Sequence, residues 1–360
     1  MTIGVDAGCL GIADFRSKTG IYRMAENLLR NLPDTGDRFI LYSFYPIAKD
    51  SMWSFGERFK NKVIPWKKGW LDFVIPVASM VHGIDLFWAL NQAIPFILAK
   101  KKLVFVHDLA YKFHPKFYSA KMQRRSAYAI NHADHIVTFA DASKKDIEKF
   151  YLVSPSKISV CYQGYADELF FPASRKKLSI VATKYNLKKP YFLFVGSLKP
   201  IKNVAGIVNA FYGFDKHWSG FELIMVGNDA NWQASQVNNY PGIRYLGFVP
   251  DEDLPALYSG AQAFLHPSLY EGFGQPVIEA MACGCPAIVS NRGSLPELTG
   301  ESAIIVNPEK PKEIVAALNS IAKDKLLRDK LSTRGLGQVR RFSWKTFAGA
   351  IMAISNKMNQ

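Results

Sequence analysis

Short apolar runs alternate along the chain with amphipathic stretches, which is the pattern of strands and helices in an α/β protein. In the first half these runs predict strands near residues 1–6, 39–42, 63–64, 85–89, 103–106, 134–138 and 158–160. In the second half they predict strands near residues 191–195, 223–226, 243–248, 263–265, 287–290 and 303–306. Repeated strand–helix units of this kind predict doubly wound parallel sheets.

Helical periodicity of apolar residues separates these strands. It predicts helices near residues 21–32, 121–131, 175–189, 204–211, 252–259, 276–283, 312–321 and 344–354. With 360 residues the chain has room for two domains that each bury a core.

The composition is that of a soluble globular protein, with 49% hydrophobic and 21% charged residues. Apolar runs stay shorter than the roughly 18 residues of a membrane span, and the chain opens on a strand-like segment and not on a leader. We therefore expect a cytosolic protein. The four cysteines lack the paired spacing of a zinc site, so reduced structural thiols are expected.

A net charge of +15 is compatible with three classes of partner, namely nucleic acid, an anionic membrane surface and phosphorylated substrates. Residues 53–70 interleave aromatic and basic side chains, as membrane interfaces do. The other interpretation, which we favour, is that Trp66, Trp70 and Phe73 belong to the core and that the lysines between them are solvated.

The most informative stretch is residues 265–298, where a strand leads through a glycine loop into a helix. The start of such a helix, with its unpaired amides and positive dipole end, is an anion site. Two carboxylates, Glu271 and Glu279, bracket it, and an ionised carboxylate binds hydroxyl groups strongly. The stretch therefore predicts a ligand that is both polyhydroxylated and phosphorylated.

Seven residues separate Glu271 from Glu279 within HPSLYEGFGQPVIEAMACGCP. This motif resembles the signature of retaining glycosyltransferases of family four, most of all the mannosyltransferase-like members. The resemblance implies the GT-B fold, an α/β arrangement of two Rossmann-like domains facing a central cleft. It further implies an acceptor-binding domain at 1–172, a nucleotide-sugar domain at 173–342, and a C-terminal helix at 343–360 that packs back on the first domain.

The same resemblance assigns roles to individual residues. Glu271 and His107 would contact the donor sugar at the catalytic centre, with Glu271 positioning the sugar and, as the alternative, acting as a nucleophile. A loop containing Thr19 and Gly20 would approach the donor phosphates and the acceptor. The donor-binding residues would be Gly196, Ser197, Lys202, Phe248, Val249, Phe273, Gly274, Gln275 and Glu279.

The implied reaction is retaining transfer of a hexosyl group from a nucleoside-diphosphate sugar. GDP-mannose is the expected donor, and the acceptor would be a glycan or a polyprenyl-diphosphate-linked glycan of the cell surface, reached at the inner face of the cytoplasmic membrane. Because Lys202 and a helix start would stabilise the leaving diphosphate, we expect no metal or other cofactor. A UDP-glucose or deoxyhexose donor remains an alternative.

Three other functional classes can be weighed on the same residues. A nicotinamide oxidoreductase would need G-x-G-x-x-G after the first strand, which is absent here. A nucleic-acid-binding protein would show a recognisable module, and none is found, so no nucleic-acid partner is expected. A protein of the same fold that binds a nucleotide sugar without transferring it, or isomerises it, is the nearest rival.

Overall fold

The structure is a computed structural model. It describes residues 1–11, 19–98, 100–215, 220–227 and 240–360, without the side chains of Ser51, Trp53, Ser54 and Asp215. The chain forms two compact units. Unit 1 consists of Met1–Gly164 and Ser343–Gln360, and unit 2 of Tyr165–Phe342. The division falls between Gly164 and Tyr165, eight residues before the sequence-based boundary after Pro172.

Unit 1 is built on a parallel sheet whose seven described strands run in the order β3-β2-β1-β4-β5-β6-β7. The strands are β1 (Thr2–Asp6), β2 (Arg38–Ser43), β3 (Phe59–Val63), β4 (Leu86–Ala89), β5 (Lys101–Val106), β6 (His135–Thr138) and β7 (Ile158–Val160). The helices are α1 (Gly20–Arg30), α2 (Lys49–Phe55), α3 (Ile75–Val81), α4 (Ala110–Phe113), α5 (Ala120–His132) and α6 (Asp141–Phe150). A π-helical turn, Trp70–Val74, leads directly into α3.

Unit 2 repeats the plan with six described parallel strands in the order β10-β9-β8-β11-β12-β13. They are β8 (Tyr191–Val195), β9 (Glu222–Val226), β10 (Ile243–Gly247), β11 (Ala263–His266), β12 (Ala287–Ser290) and β13 (Ala303–Val306). Its helices are α7 (Arg175–Lys184), α8 (Val204–Asp215), α9 (Leu254–Gly260), α10 (Gln275–Ala282), α11 (Leu295–Thr299), α12 (Pro311–Lys323) and α13 (Lys325–Gln338). The last helix of the chain, α14 (Trp344–Asn359), belongs to unit 1.

The strand order reverses once in each sheet, between β1 and β4 in unit 1 and between β8 and β11 in unit 2. Loops that leave the carboxyl ends of such neighbouring strands diverge to opposite faces, and ligands of open α/β sheets bind in the crevice between them. In unit 2 the loops that follow Val195 and His266 meet at this point. Both carry residues that the sequence singled out.

The α14 helix is anchored to the core of unit 1 by a buried hydrogen bond. The indole Nε1 of Trp88, on the central strand β4, donates to Ser355 Oγ at 3.1 Å, and both side chains are fully buried. The chain enters α14 past Gly164, where a β-carbon would lie 2.0 Å from the Trp344 nitrogen. Only glycine allows the two backbone segments to approach this closely.

The aromatic residues in and next to 53–70 are partly buried and partly exposed, so neither the membrane interpretation nor the core interpretation fits all of them. Trp70 is buried, and its indole nitrogen donates to the buried carboxylate of Asp6 at 3.2 Å. Trp66 and Phe73, however, are 68% and 72% exposed, so their assignment to the core was wrong. Phe59 is buried on β3, which removes it from any membrane-facing surface.

Within the part of the chain that the structure describes, no helix combines the length and the apolar character needed to cross a membrane.

Replacing Ser355 by alanine should destabilise unit 1, because the Trp88 indole N–H would lose its acceptor inside the core. We expect a loss of about 1 to 3 kcal/mol in the free energy of unfolding, measured by chemical denaturation. Ser320→Ala is the matched control, because each serine donates a hydrogen bond to the carbonyl one helical turn earlier, Ser355 to Ile351 and Ser320 to Ala316, but Ser320 lies on an exposed helix face. Equal losses in the two variants would contradict the anchoring role of Ser355.

Candidate functional site

Two loops of unit 2 are tied together where β8 and β11 end. The first contains the 3₁₀ turn Pro200–Lys202, and Ile201 accepts a backbone hydrogen bond from Leu269 at 2.9 Å. Asn203, held in the left-handed region with φ of 57°, donates from its side-chain amide to the Pro267 carbonyl at 3.1 Å. These bonds place Lys202 beside the segment that carries Glu271.

Lys202, His266 and Glu271 meet in one polar cluster. The Lys202 ammonium lies 2.5 Å from Glu271 Oε2, and His266 Nε2 lies 2.7 Å from the same oxygen. Burial raises the pKa of Glu271, but the Lys202 charge and the His266 hydrogen bond outweigh it and lower that pKa to about 2. Glu271 is therefore an ionised carboxylate over the whole physiological pH range.

Sequence reasoning did not assign a role to His266. It is the last residue of β11 and is completely buried. Burial lowers its pKa, so the imidazole is neutral, and its Nε2 must carry the proton in order to face a carboxylate. A histidine at the end of a strand, five residues before the first glutamate of the motif, was the available signal.

The main chain of Glu271 is fixed as firmly as its side chain. Its carbonyl accepts hydrogen bonds from the backbone nitrogen and the hydroxyl of Ser294, at 3.0 Å and 3.2 Å. Gly293 packs directly against it, since a β-carbon there would lie 2.2 Å from the Glu271 oxygen. Residues 293–294, in the loop that follows β12, thus hold the Glu271 backbone in place.

Helix α10 begins immediately after this cluster. Gly274 occupies the N-cap position with φ of 87°, a conformation that L side chains rarely adopt, and Gln275 and Pro276 form the first turn. Phe273 is buried and its ring meets Phe342 edge to face at 5.8 Å, which anchors the loop before the helix. The helix start combines the positive end of the helix dipole with backbone N–H groups that have no acceptor within the helix, as an anion site requires.

Glu279 lies one turn inside α10 and is buried. Its Oε2 accepts a hydrogen bond from the Tyr258 hydroxyl of α9 at 3.3 Å. In this structure Glu279 is therefore a buried carboxylate on the same helix whose start forms the anion site.

The remaining donor-site candidates occupy the ends of neighbouring strands. Gly196 follows β8 and packs so closely on Gly227 that a β-carbon on Gly227 would lie 1.9 Å from the Gly196 oxygen, and Ser197 comes next. Phe248, after β10, is about half exposed, whereas the side chain of Val249 is buried. Of this pair, Phe248 offers the larger accessible surface to a ligand.

His107 belongs to unit 1, where it follows β5, the strand next to β4. Its Nε2 lies 2.7 Å from the Leu90 carbonyl, and its backbone nitrogen donates to Gln92 Oε1 at 3.1 Å. Burial lowers the pKa of His107, so the ring is neutral, with its Nε2 proton given to Leu90. Nδ1 is therefore the nitrogen that can accept a hydrogen bond.

Thr19 and Gly20 lie at the beginning of α1. The Thr19 hydroxyl caps the helix by accepting from the Tyr22 nitrogen at 3.3 Å, and both residues are exposed. The preceding residues of the predicted phosphate loop, 12–18, lie outside the described residues.

Among the residues that the structure covers, no three His, Cys, Asp or Glu side chains cluster in a way that could hold a metal ion. The four cysteines are all free.

Comparison with known proteins identifies the family. The family described as "Glycosyl transferases group 1" matches residues 175–337. The chain is 33% identical to O-antigen chain mannosyltransferase B of Escherichia coli over 295 residues, which is 76% of this chain and 77% of that protein. It is also 24% identical to the serotype-specific mannosyltransferase WbdA of Escherichia coli over 265 residues, 69% of this chain but only 32% of that longer protein.

Solved structures agree on the fold. The chain superposes on Anabaena Alr3699/HepE, crystallised in complex with UDP and glucose, with a TM-score of 0.78 and 18% identity, and 99% of each chain is covered. The expected pair of Rossmann-like units with parallel sheets is thereby confirmed as the GT-B fold. The chain belongs to the family of group 1 glycosyl transferases and is a glycosyltransferase of the GT-B fold.

Proposed function

We propose that the protein transfers a mannosyl group from GDP-mannose, with retention of the anomeric configuration, to a glycan or polyprenyl-diphosphate-linked acceptor in cell-surface polysaccharide synthesis. The observation that carries the proposal is the cluster of Lys202, Glu271 and His266 beside the start of α10. The likeness to an O-antigen chain mannosyltransferase supports the choice of sugar and pathway.

The leaving diphosphate determines what the cluster must do. Bond cleavage leaves negative charge on the diphosphate, and fixed positive groups that await this charge lower the barrier. The Lys202 ammonium has three donors, so it can keep its contact with Glu271 Oε2 and bind a phosphoryl oxygen as well. With the α10 start as the second positive element, the proposed transfer proceeds without a metal ion or another cofactor.

Glu271 is better suited to hold the donor sugar than to attack it. Lys202 and His266 both contact Oε2, which leaves Oε1 as the oxygen that can accept a sugar hydroxyl. A carboxylate whose pKa lies near 2 is also a weak nucleophile, because its lone pairs are already stabilised. We therefore favour a positioning role, with the acceptor hydroxyl attacking from the side on which the diphosphate departs.

Two further residues, one in each unit, have proposed roles toward the donor. Glu279, one turn inside α10, would bind the ribose hydroxyls, for which an ionised carboxylate is a strong acceptor. His107 would accept a hydrogen bond from a sugar hydroxyl through Nδ1, because its Nε2 is already bonded to Leu90. In this role His107 orients a hydroxyl and donates no proton.

Calorimetric titration of GDP, UDP and ADP, with a chelator present throughout, tests the donor proposal. We expect GDP to bind most tightly and the chelator to have no effect. Lys202→Ala removes a charged hydrogen-bond donor worth about 1.5 to 3 kcal/mol, so GDP should bind roughly 10- to 100-fold more weakly. Glu279→Ala should weaken GDP binding as well, through loss of the ribose contact.

The matched control is Lys310→Ala, an exposed lysine of unit 2 whose partner is the neighbouring Glu313. It should bind GDP like the wild type. Preferential binding of UDP, the nucleotide present in the HepE complex, would replace the GDP-mannose proposal by a UDP-sugar donor. Absence of binding by all three nucleotides would overturn the proposed donor site.

We also propose that unit 1 contacts an anionic membrane, where a lipid-linked acceptor would reside. The contact would be made by an apolar surface formed by Phe73, Val77, Met80, Val81, Phe96 and Ile97, each more than half exposed. The first four lie along one side of the helical segment 70–81, at spacings of four, three and one residues. These spacings place the four side chains on the face of the segment away from the buried Ile75 and Ala78, so the segment presents an apolar face to solvent.

Neighbouring contacts make the apolar surface continuous with basic residues. Arg125 donates hydrogen bonds to both carboxylate oxygens of Asp72, at 2.9 Å and 2.7 Å, and its guanidinium lies 5.2 Å from the centre of the Phe96 ring. Arg125 thus connects the helical segment 70–81 with Phe96. The Phe73 ring lies over Gly69, next to the exposed Lys67 and Lys68. Residues 59–71 contain four lysines and no acid, a charge that suits anionic lipid and opposes a basic partner.

Vesicle sedimentation measures this contact directly. We expect the protein to bind phosphatidylcholine vesicles that contain phosphatidylglycerol, and to bind pure phosphatidylcholine weakly. Changing Phe73, Met80 and Val81 together to serine should lower the partition coefficient at least about tenfold, because their apolar area no longer enters the interface. Leu152→Ser is the control, as Leu152 is an exposed leucine of unit 1 outside this surface. Unchanged binding by the triple variant would refute the assignment.

A further inference from the structure

His266 occupies a place that a structural core residue would normally fill with an apolar side chain. It ends β11, is completely buried, and stacks on the Phe264 ring with 5.6 Å between the ring centroids and 24° between the planes. The other residues of β11, such as Phe264 and Leu265, are apolar. A buried polar ring in such surroundings requires a hydrogen-bonding partner to offset its desolvation.

That partner is Glu271. His266 Nε2 and Glu271 Oε2 are 2.7 Å apart, a length typical of a hydrogen bond to a charged acceptor. The other ring nitrogen, Nδ1, is buried and has no hydrogen-bond partner within the described ranges. The single polar contact of the ring is thus directed at the glutamate that we expect to hold the donor sugar.

Lys202 is the other group that contacts Glu271 Oε2, but its ammonium is also the proposed partner of the diphosphate. When the ammonium binds a diphosphate as well, its charge is shared between two anions, and its attraction for Oε2 weakens. Within the described part of the chain the His266 ring has no second partner of this kind, and it is enclosed at the end of a central strand. It therefore remains as the fixed contact that keeps the carboxylate oriented.

We propose that His266 is a positioning residue, which fixes Oε2 of Glu271 so that Oε1 is presented to a hydroxyl of the donor sugar. The inference rests on the proposed function for the role of Glu271 and adds the group that orients it. It concerns the sugar half of the donor, so the nucleoside diphosphate half should bind independently of His266.

Two substitutions separate this role from a structural one. The side-chain nitrogen of His266→Gln reaches the place of Nε2 and can still donate to Glu271, whereas that of His266→Asn reaches only the place of Nδ1. Both variants remove the ring and its stacking on Phe264, so a packing defect would affect them alike. Glu271→Gln serves as the reference for loss of the carboxylate itself.

Calorimetry with GDP and GDP-mannose, and with UDP and UDP-glucose, supplies a binding readout, and kcat and KM for transfer supply a kinetic one. We expect nucleoside diphosphate affinity within about threefold of the wild type in both His266 variants. The extra affinity conferred by the sugar, and kcat/KM, should fall about 10- to 100-fold in His266→Asn. Both should return to within a few-fold of the wild type in His266→Gln.

The possible results distinguish the two proposals. If none of the nucleotides binds the wild type, the proposed function fails, and this inference fails with it. If Glu271→Gln is impaired while His266→Asn behaves like the wild type, only the role of His266 is overturned. Equal impairment of the asparagine and glutamine variants in nucleoside diphosphate binding would show a packing role and would also overturn it.

A measurement on the unmodified protein keeps the inference testable if a variant does not fold. Two-dimensional ¹H–¹⁵N spectra of the imidazole rings distinguish the two neutral tautomers. We expect the His266 ring to be neutral with its proton on Nε2, and its signals to shift in Glu271→Gln. A ring with its proton on Nδ1 could not donate to Glu271, and this result would refute the proposal.

Discussion

The contact between Lys202 and Glu271 is the constraint on which unit 2 depends most. Their side chains are only 20% and 14% exposed, and a pair of charges this far from water gains from mutual attraction only if its geometry is fixed. The loops meet this requirement through the bond from Leu269 to Ile201 and the amide of Asn203. The hydrogen bond from His266 supplies the remaining compensation.

This pair also bears on the proposed donor complex. The Glu271 carboxylate balances the Lys202 charge, so neither of these two charges is buried without compensation. In the proposed donor complex, an incoming diphosphate would find an ammonium already in place, with donors left over, and a helix start beside it. The positive groups would then need no rearrangement at the moment of bond cleavage, which is the basis of electrostatic preorganisation.

Unit 1 follows a different physical logic. The central strands of its sheet are buried, and the hydrogen bond between Trp88 and Ser355 ties the C-terminal helix to its core. Yet Phe73, Val77, Met80 and Val81, on the segment 70–81, expose apolar side chains to water. Their exposed area is not buried on folding and so does not stabilise the fold. A continuous exposed apolar surface of this kind is typical of an interaction site, and the lysines beside it are the reason for proposing an anionic membrane as its partner.

The sequence by itself determined the strands of unit 2, its helices other than α11 and α13, the motif around Glu271, and thereby the family, because these features depend on patterns a few residues long. It did not reveal helix α3, whose apolar run offers no polar face, or the exposure of Phe73. It also did not pair Lys202 with Glu271, which lie 69 residues apart, or direct His266 toward that glutamate. Only the tertiary structure decided these points, because strand order, not local sequence, determines which loops meet and which side chains share one oxygen.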